Sequence, residues 1–164
     1  PNLFENTLRI PLIISDPRSA KAGLSSGSLI ELIDIYPTIL ELSDLEIPEY
    51  VSGKSFAALI DRPNTPFRQS ALSQSHARVT RPNLKKENIF GYSLRTEHFR
   101  YTEWAGGTHG TELYNHLYDP KENINLFNNP QYKAIGQSLK SRLAERLKDT
   151  RTNFVGLDLT ALEE

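Results

Sequence analysis

Apolar residues along this chain change their spacing repeatedly, and each change predicts an element. Arg9–Ser15 (RIPLIIS) is a short unbroken apolar run closed by Asp16-Pro17, the pattern of a strand buried on both faces. Little nearby covers both faces, so its partner strands are expected upstream of Pro1. In SLIELIDIYPTILELSDL, Pro37 would break a helix interior but suits a first turn, whose amide protons lack partners in any case. A helix therefore starts near Asp34, with Asp34 as its cap and Ile35, Ile39, Leu40 and Leu42 as its buried stripe. Gly53–Ile60 (GKSFAALI) predicts a second short helix, stopped by Asp61-Arg62-Pro63.

From Arg68 the period shortens to two. RQSALSQ reads as a strand, and His76–Asn88 (HARVTRPNLKKEN) as a polar loop carrying Arg78, Arg81, Lys85 and Lys86 with no acid before Glu87. IFGYSLR sets Phe90, Tyr92 and Leu94 on one face, FRYTEW sets Phe99 and Tyr101 on one face, and Thr96-Glu97-His98 turns between them. The other side of this hairpin carries Gly91, Ser93, Arg95, Arg100, Thr102 and Trp104. A short strand at Glu112–Tyr114 precedes turns rich in Asp, Asn and Pro. The longest helix is entered at Pro130, and its Ile135, Leu139, Leu143 and Leu147, spaced four apart, place it on the sheet. After Arg151 the pattern fades into a tail. The fold class is α/β, locally α+β. Residues 1–67 hold one buried strand with helices, 68–151 a small antiparallel sheet packed by a long C-terminal helix, and 152–164 the tail.

Composition narrows the function classes. The 164 residues are 38% hydrophobic and 24% charged, an ordinary globular balance. Lys+Arg of 19 against Asp+Glu of 20 leaves a net charge of −1, so no overall positive field gathers nucleic-acid phosphates, and no nucleic-acid partner is expected. Without cysteine there is no disulfide, thiolate metal site or cysteine nucleophile. Apolar runs stop at four or five residues, so neither a membrane span nor a signal peptide is read. With Pro1 first and no methionine anywhere, the chain reads as a segment of something longer.

Its own chemistry is sparse. His76, His98, His109 and His116 include no pair spaced to share a metal on a helix face, and Thr108-His109-Gly110 lacks a preceding acid, so no metal site is expected within the chain. A nucleophile elbow, a phosphate-cradling glycine loop and a dinucleotide fingerprint are all missing, and no catalytic residue is assigned. Glu31, Asp34 and Glu41 read as a cap and a solvated helix face. Arg95 is either a clamp on backbone carbonyls or an anion contact.

Several segments in order resemble the C-terminal part of a sulfatase of the alkaline-phosphatase superfamily. RIPLIIS resembles a central-sheet strand after the active-site region, LIELIDIYPTILELSDLEIP the Asp-x-x-Pro-Thr helix, and GKSFAALI the Gly-Lys-Ser-Leu helix. YSLRTEHFRYTEW is similar to the family's Arg-Thr hairpin, and ELYNHLYDPKENINLFNN to its Glu-Leu-Tyr, Asp-Pro-x-Glu-x-Asn-Leu element. ALSQSHAR followed by GYSLRTEHFRYTEW looks most like the iduronate-2-sulfatase group, with Ser75, His76 and Ala77 departing from its pattern.

The resemblance implies a formylglycine nucleophile and a calcium ion, both in a missing N-terminal sulfatase portion that would be this chain's partner. It also implies a sulfated-glycan substrate and a periplasmic, extracellular or lysosomal setting. Within this chain, Gln74, His76 and Arg78 are the expected readers of anionic groups, and Trp104 either stacks on a sugar ring or covers the core edge. Two other readings stand beside it: a stand-alone carbohydrate-binding or interaction module, and a phosphodiesterase or phosphonate hydrolase of the same superfamily.

Overall fold

The computed structural model describes residues 2–19, 21–79 and 87–151. Arg81, Lys85 and Lys86 of the basic loop and the tail after Arg151 lie outside the described residues, as does the side chain of Arg78. Two compact units emerge: Pro1–Ile10 together with Leu72–Lys148, and a second unit built on Pro11–Ala71.

The first unit is the antiparallel sheet. Its strands are β1 (Ala71–Val79), β2 (Glu87–Arg95), β3 (Phe99–Trp104) and β4 (Thr111–Asn115), in the order β1-β2-β3-β4. β1 runs through His76–Val79, which the sequence reads as loop. It lies at one end of the strand order, where a polar strand is tolerated because only one neighbour must be matched. Register pairs Leu94 with Tyr101 and Tyr101 with Leu113. These residues and Tyr92 pack against Leu139 and Leu143 of the helix Lys133–Arg151, with Ile135 and Leu147 at the margin, so the expected apolar face and helix stripe form one core. A 3-10 turn at Pro130–Tyr132 leads in, capped by Asn129, whose side chain accepts from the Gln131 N–H.

The opposite sheet face is not open. Ser93, Arg100 and Thr102 are as buried as the apolar core, because the single helical turn α1 (Glu5–Leu8) and the loop bearing Glu122 lie against them. On this face Gly91 sits opposite Trp104. The indole lies over the glycine so closely that a Cβ there would stand 2.4 Å from a ring carbon.

The second unit contains α2 (Ile35–Leu42), entered from a 3-10 turn at Leu32–Asp34, and the one-turn α3 (Ala58–Asp61). Pro37 occupies the first turn of α2 as expected. The stripe differs, however: Pro37 and Thr38 are buried while Ile39 is 55% exposed. Asp34 is neither solvated nor a side-chain cap of α2. It is fully buried, accepting the Glu31 N–H at 2.9 Å, the Lys54 N–H at 2.8 Å and Arg68 Nε at 2.7 Å. Burial would raise its carboxyl, but the Arg68 bond and these N–H groups hold it below the ordinary range.

This network also explains why the second helix is shorter than GKSFAALI suggests. The Lys54 N–H goes to Asp34 and the Phe56 N–H to Thr38 Oγ1 at 3.0 Å, so these amides serve the α2 anchor instead of a helical turn. Gly53 passes so near the Ile33 carbonyl that a Cβ would stand 2.0 Å from its oxygen.

RIPLIIS forms no strand among the described residues. A strand exists only with a ladder partner, and Ile13 here is 91% exposed.

The Gly91–Trp104 contact gives a test by unfolding of the whole protein. Gly91→Ala is expected to cost about 1–3 kcal/mol by overpacking, and most of that cost should vanish in a Trp104→Ala background. Equal penalties in both backgrounds would show that the indole is not what excludes the methyl group.

Candidate functional site

The charged centre of the sheet unit is built on Arg100, 2% exposed in the middle of the sheet face opposite the long helix. Alternation along β3 sends Tyr101 to the helix side and Arg100 to this one. Arg100 Nε donates to Glu122 Oε1 at 2.6 Å, Nη1 to Ser93 Oγ at 3.1 Å, and Nη2 to Glu5 Oε2. Arg95, its register partner on β2, donates from Nε to the same Glu5 oxygen at 3.2 Å. Arg95 thus clamps a carboxylate where the sequence reading weighs backbone carbonyls against an anion.

Glu122 Oε2 accepts the Glu5 N–H at 2.6 Å, and its Oε1 lies 2.7 Å from His116 Nε2. Glu122 holds this place from a left-handed backbone, φ 58°, in the turn that follows Asp119. Such a conformation costs a non-glycine residue free energy, which the bonds to its side chain offset.

Two guanidinium groups against two carboxylates leave the buried charges balanced, the condition under which arginine can leave water. At Glu5, burial pushes the carboxyl up, but the charges of Arg95 and Arg100 and the Arg100 hydrogen bond prevail. At Glu122, burial is likewise overcome, by bonds from His116, the Glu5 N–H and Arg100, and both groups lie below the ordinary 4.5.

Glu5, His116 and Glu122 are also the one grouping among the described residues whose ligand atoms lie close enough to hold a metal. Arg100 is seated between its two carboxylates, so the cation these acids bind is the guanidinium, and the donor set does not fit calcium. Sequence reasoning misses Glu5, His116 and Glu122. The available signal is the set of hairpin positions Gly91, Ser93, Arg95, Arg100, Thr102 and Trp104, which carries two arginines and no acid.

The residues expected to read substrate divide between the two sheet faces. Gln74 and His76 are exposed on β1, and the His76 ring lies 6.5 Å from that of Phe90, on the helix side. Trp104 is on the other side, half-buried at the end of β3. It lines an open cleft of about 340 Å³ with Leu3, Phe4, Ile89, His109 and Glu112. The Tyr114 hydroxyl donates to Glu112 Oε2 at 3.3 Å. Burial raises the Glu112 carboxyl, with the Tyr114 and Trp104 side chains acting against it. The Trp104 N–H donates to the Gly110 carbonyl at 3.0 Å and its carbonyl accepts the His109 N–H at 3.1 Å, so the intervening glycine-rich loop closes back onto the tryptophan.

The depressed carboxyls fix the sign of an acid response. What Glu5 and Glu122 contribute to stability is present above the unfolded value near 4.5 and is lost as pH falls through their lower folded values. Wild-type protein is expected to lose stability more steeply below that pH. Glu122→Gln should be less stable at neutral pH and show a flatter acid limb in unfolding curves, and an unchanged acid limb would contradict the assignment.

Comparison with known proteins follows the same outline. The family model described as N-sulphoglucosamine sulphohydrolase, C-terminal, matches residues 2–149. An N-acetylglucosamine-6-O-sulfatase of Bacteroides thetaiotaomicron is 27% identical over 154 residues, covering 92% of this chain and 27% of the relative. An arylsulfatase of Clostridium perfringens is 30% identical over 162 residues, covering 92% of this chain and 30% of the relative. A protein solved in complex with its substrate, D-glucosamine-2-N,6-O-disulfate, superposes with a TM-score of 0.73 at 26% identity, over 85% of this chain and 28% of that one. The chain thus spans under a third of the length of the curated relatives it matches. By fold and by sequence it belongs to the N-sulphoglucosamine sulphohydrolase C-terminal family, the C-terminal domain of sulfatases.

Proposed function

We propose that the whole protein is a sulfatase that hydrolyses sulfate esters on glycans, with this chain as its C-terminal portion. The observation that carries the reading is the family match over residues 2–149, supported by the likeness to a protein solved with a sulfated amino sugar. The exposed apolar run at Ile10–Ile14 supports a partner, since such a surface left in water favours association. That partner is the N-terminal sulfatase portion. The nucleophile and the metal site lie outside this chain.

Two saccharide classes compete for the substrate. The resemblance of ALSQSHAR and GYSLRTEHFRYTEW to the iduronate-2-sulfatase group favours a sulfated uronic acid read through Gln74, His76 and Arg78. The 6-O-sulfatase among the relatives favours a sulfated hexosamine.

Sulfate release by the full-length protein, measured on a 2-O-sulfated uronate disaccharide and on N-acetylglucosamine-6-sulfate, decides between them. Release from one or both is the expected result. Hydrolysis of a phosphonate monoester with neither sulfate ester touched would overturn the reading. In the same assay Arg78→Ala is expected to raise KM for the sulfated uronate about tenfold, the value of one charge-assisted contact. Unchanged kinetics would remove the β1 end from substrate recognition.

A further inference from the structure

We infer that the Trp104 cleft is a separate subsite for an uncharged saccharide ring, on the sheet face opposite Gln74 and His76. The choice of a saccharide rests on the glycan reading above, while the separation and the charge preference rest on geometry alone.

Trp104 is a fixed platform. One ring face is seated on Gly91, where no side chain could fit. Its own backbone N–H and carbonyl are both bonded to the loop that follows. The same indole lines the cleft. Stacking there loses little conformational entropy, because the ring is already held. Leu3, Phe4 and Ile89 supply apolar walls, and Glu112 and His109 supply polar groups at the rim. A cleft of about 340 Å³ lies at the small end of ligand sites, suited to a single ring.

Charge sets the class. Among the described residues no lysine or arginine lines the cleft, and its acid is Glu112. A sulfate or carboxylate placed there would meet the Glu112 carboxyl group in a partly desolvated setting. Hydroxyl groups, by contrast, can donate to Glu112. The cleft therefore takes the uncharged unit of a glycan, and the sulfated unit goes elsewhere.

Two glycosides that differ only at C6 test this on the full-length protein: methyl β-D-glucopyranoside and the corresponding glucuronide, with binding followed by saturation-transfer NMR. The neutral glycoside is expected to receive saturation from wild type and to lose it about threefold or more in Trp104→Ala. Trp104→Phe, which keeps a stacking ring should the alanine variant fail to fold, is expected to retain part of the signal. The glucuronide should show no component sensitive to position 104 in wild type and should acquire one in Glu112→Gln. A neutral signal insensitive to both substitutions, or a glucuronide bound equally well at this cleft in wild type, would overturn the inference. Neither probe carries sulfate, so the result stands apart from whether the protein releases sulfate.

Discussion

A buried guanidinium must find carboxylates, and that requirement organises the sheet unit. Arg100 is fixed by the alternation of β3 on the face away from the long helix, where water does not reach it. Its partners come from distant sequence: Glu5 lies 95 residues before it and Glu122 22 residues after it. Satisfying one side chain therefore folds the N-terminal segment under the sheet and the post-β4 loop over its edge. The Glu5 N–H bonded to Glu122 joins the two segments to each other. Breaking a pair of this kind leaves a buried charge behind, at a cost of about 3–5 kcal/mol, so the arrangement holds as a whole or fails as a whole.

The second unit uses the same device at smaller scale. Arg68 reaches back 34 residues to Asp34, which also accepts amides from Glu31 and Lys54, while Thr38 takes the amide of Phe56. Among the described residues Pro37, Phe56 and Leu59 are its buried apolar side chains, and Ile13, Leu32, Ile39 and Tyr50 are exposed. Its coherence therefore leans on directed polar bonds.

Much of this was legible in the residues. The apolar side of the hairpin, the first-turn proline and the four-spaced stripe of the last helix are local patterns, and the structure places them as their periods require. Hidden were the consequences of long-range polar pairing. Period two says that Arg95, Arg100 and Trp104 share a face but not whether that face is wet, and Glu5 in a single turn gives no sign that it will cover it. Asp34 has the residue type and position of a helix cap, and only the arrival of Arg68 and the 53–56 segment turns it into a buried hub. RIPLIIS shows the reverse case: its pattern is that of a strand, and a strand needs neighbours that the described residues do not supply. At the candidate site, Trp104 was visible as a residue, while its glycine seat required the β2–β3 register.

The central claim is that Arg100 holds the N-terminal segment against the sheet. Hydrogen exchange of the full-length protein, followed on peptides covering residues 2–10 and β3–β4, tests it most directly. Wild type should protect the Glu5 amide nearly as well as the strands, and Arg100→Met should release residues 2–10 first while β3–β4 amides stay protected. A segment that exchanges freely in wild type, or one whose protection survives the loss of Arg100, would contradict the account.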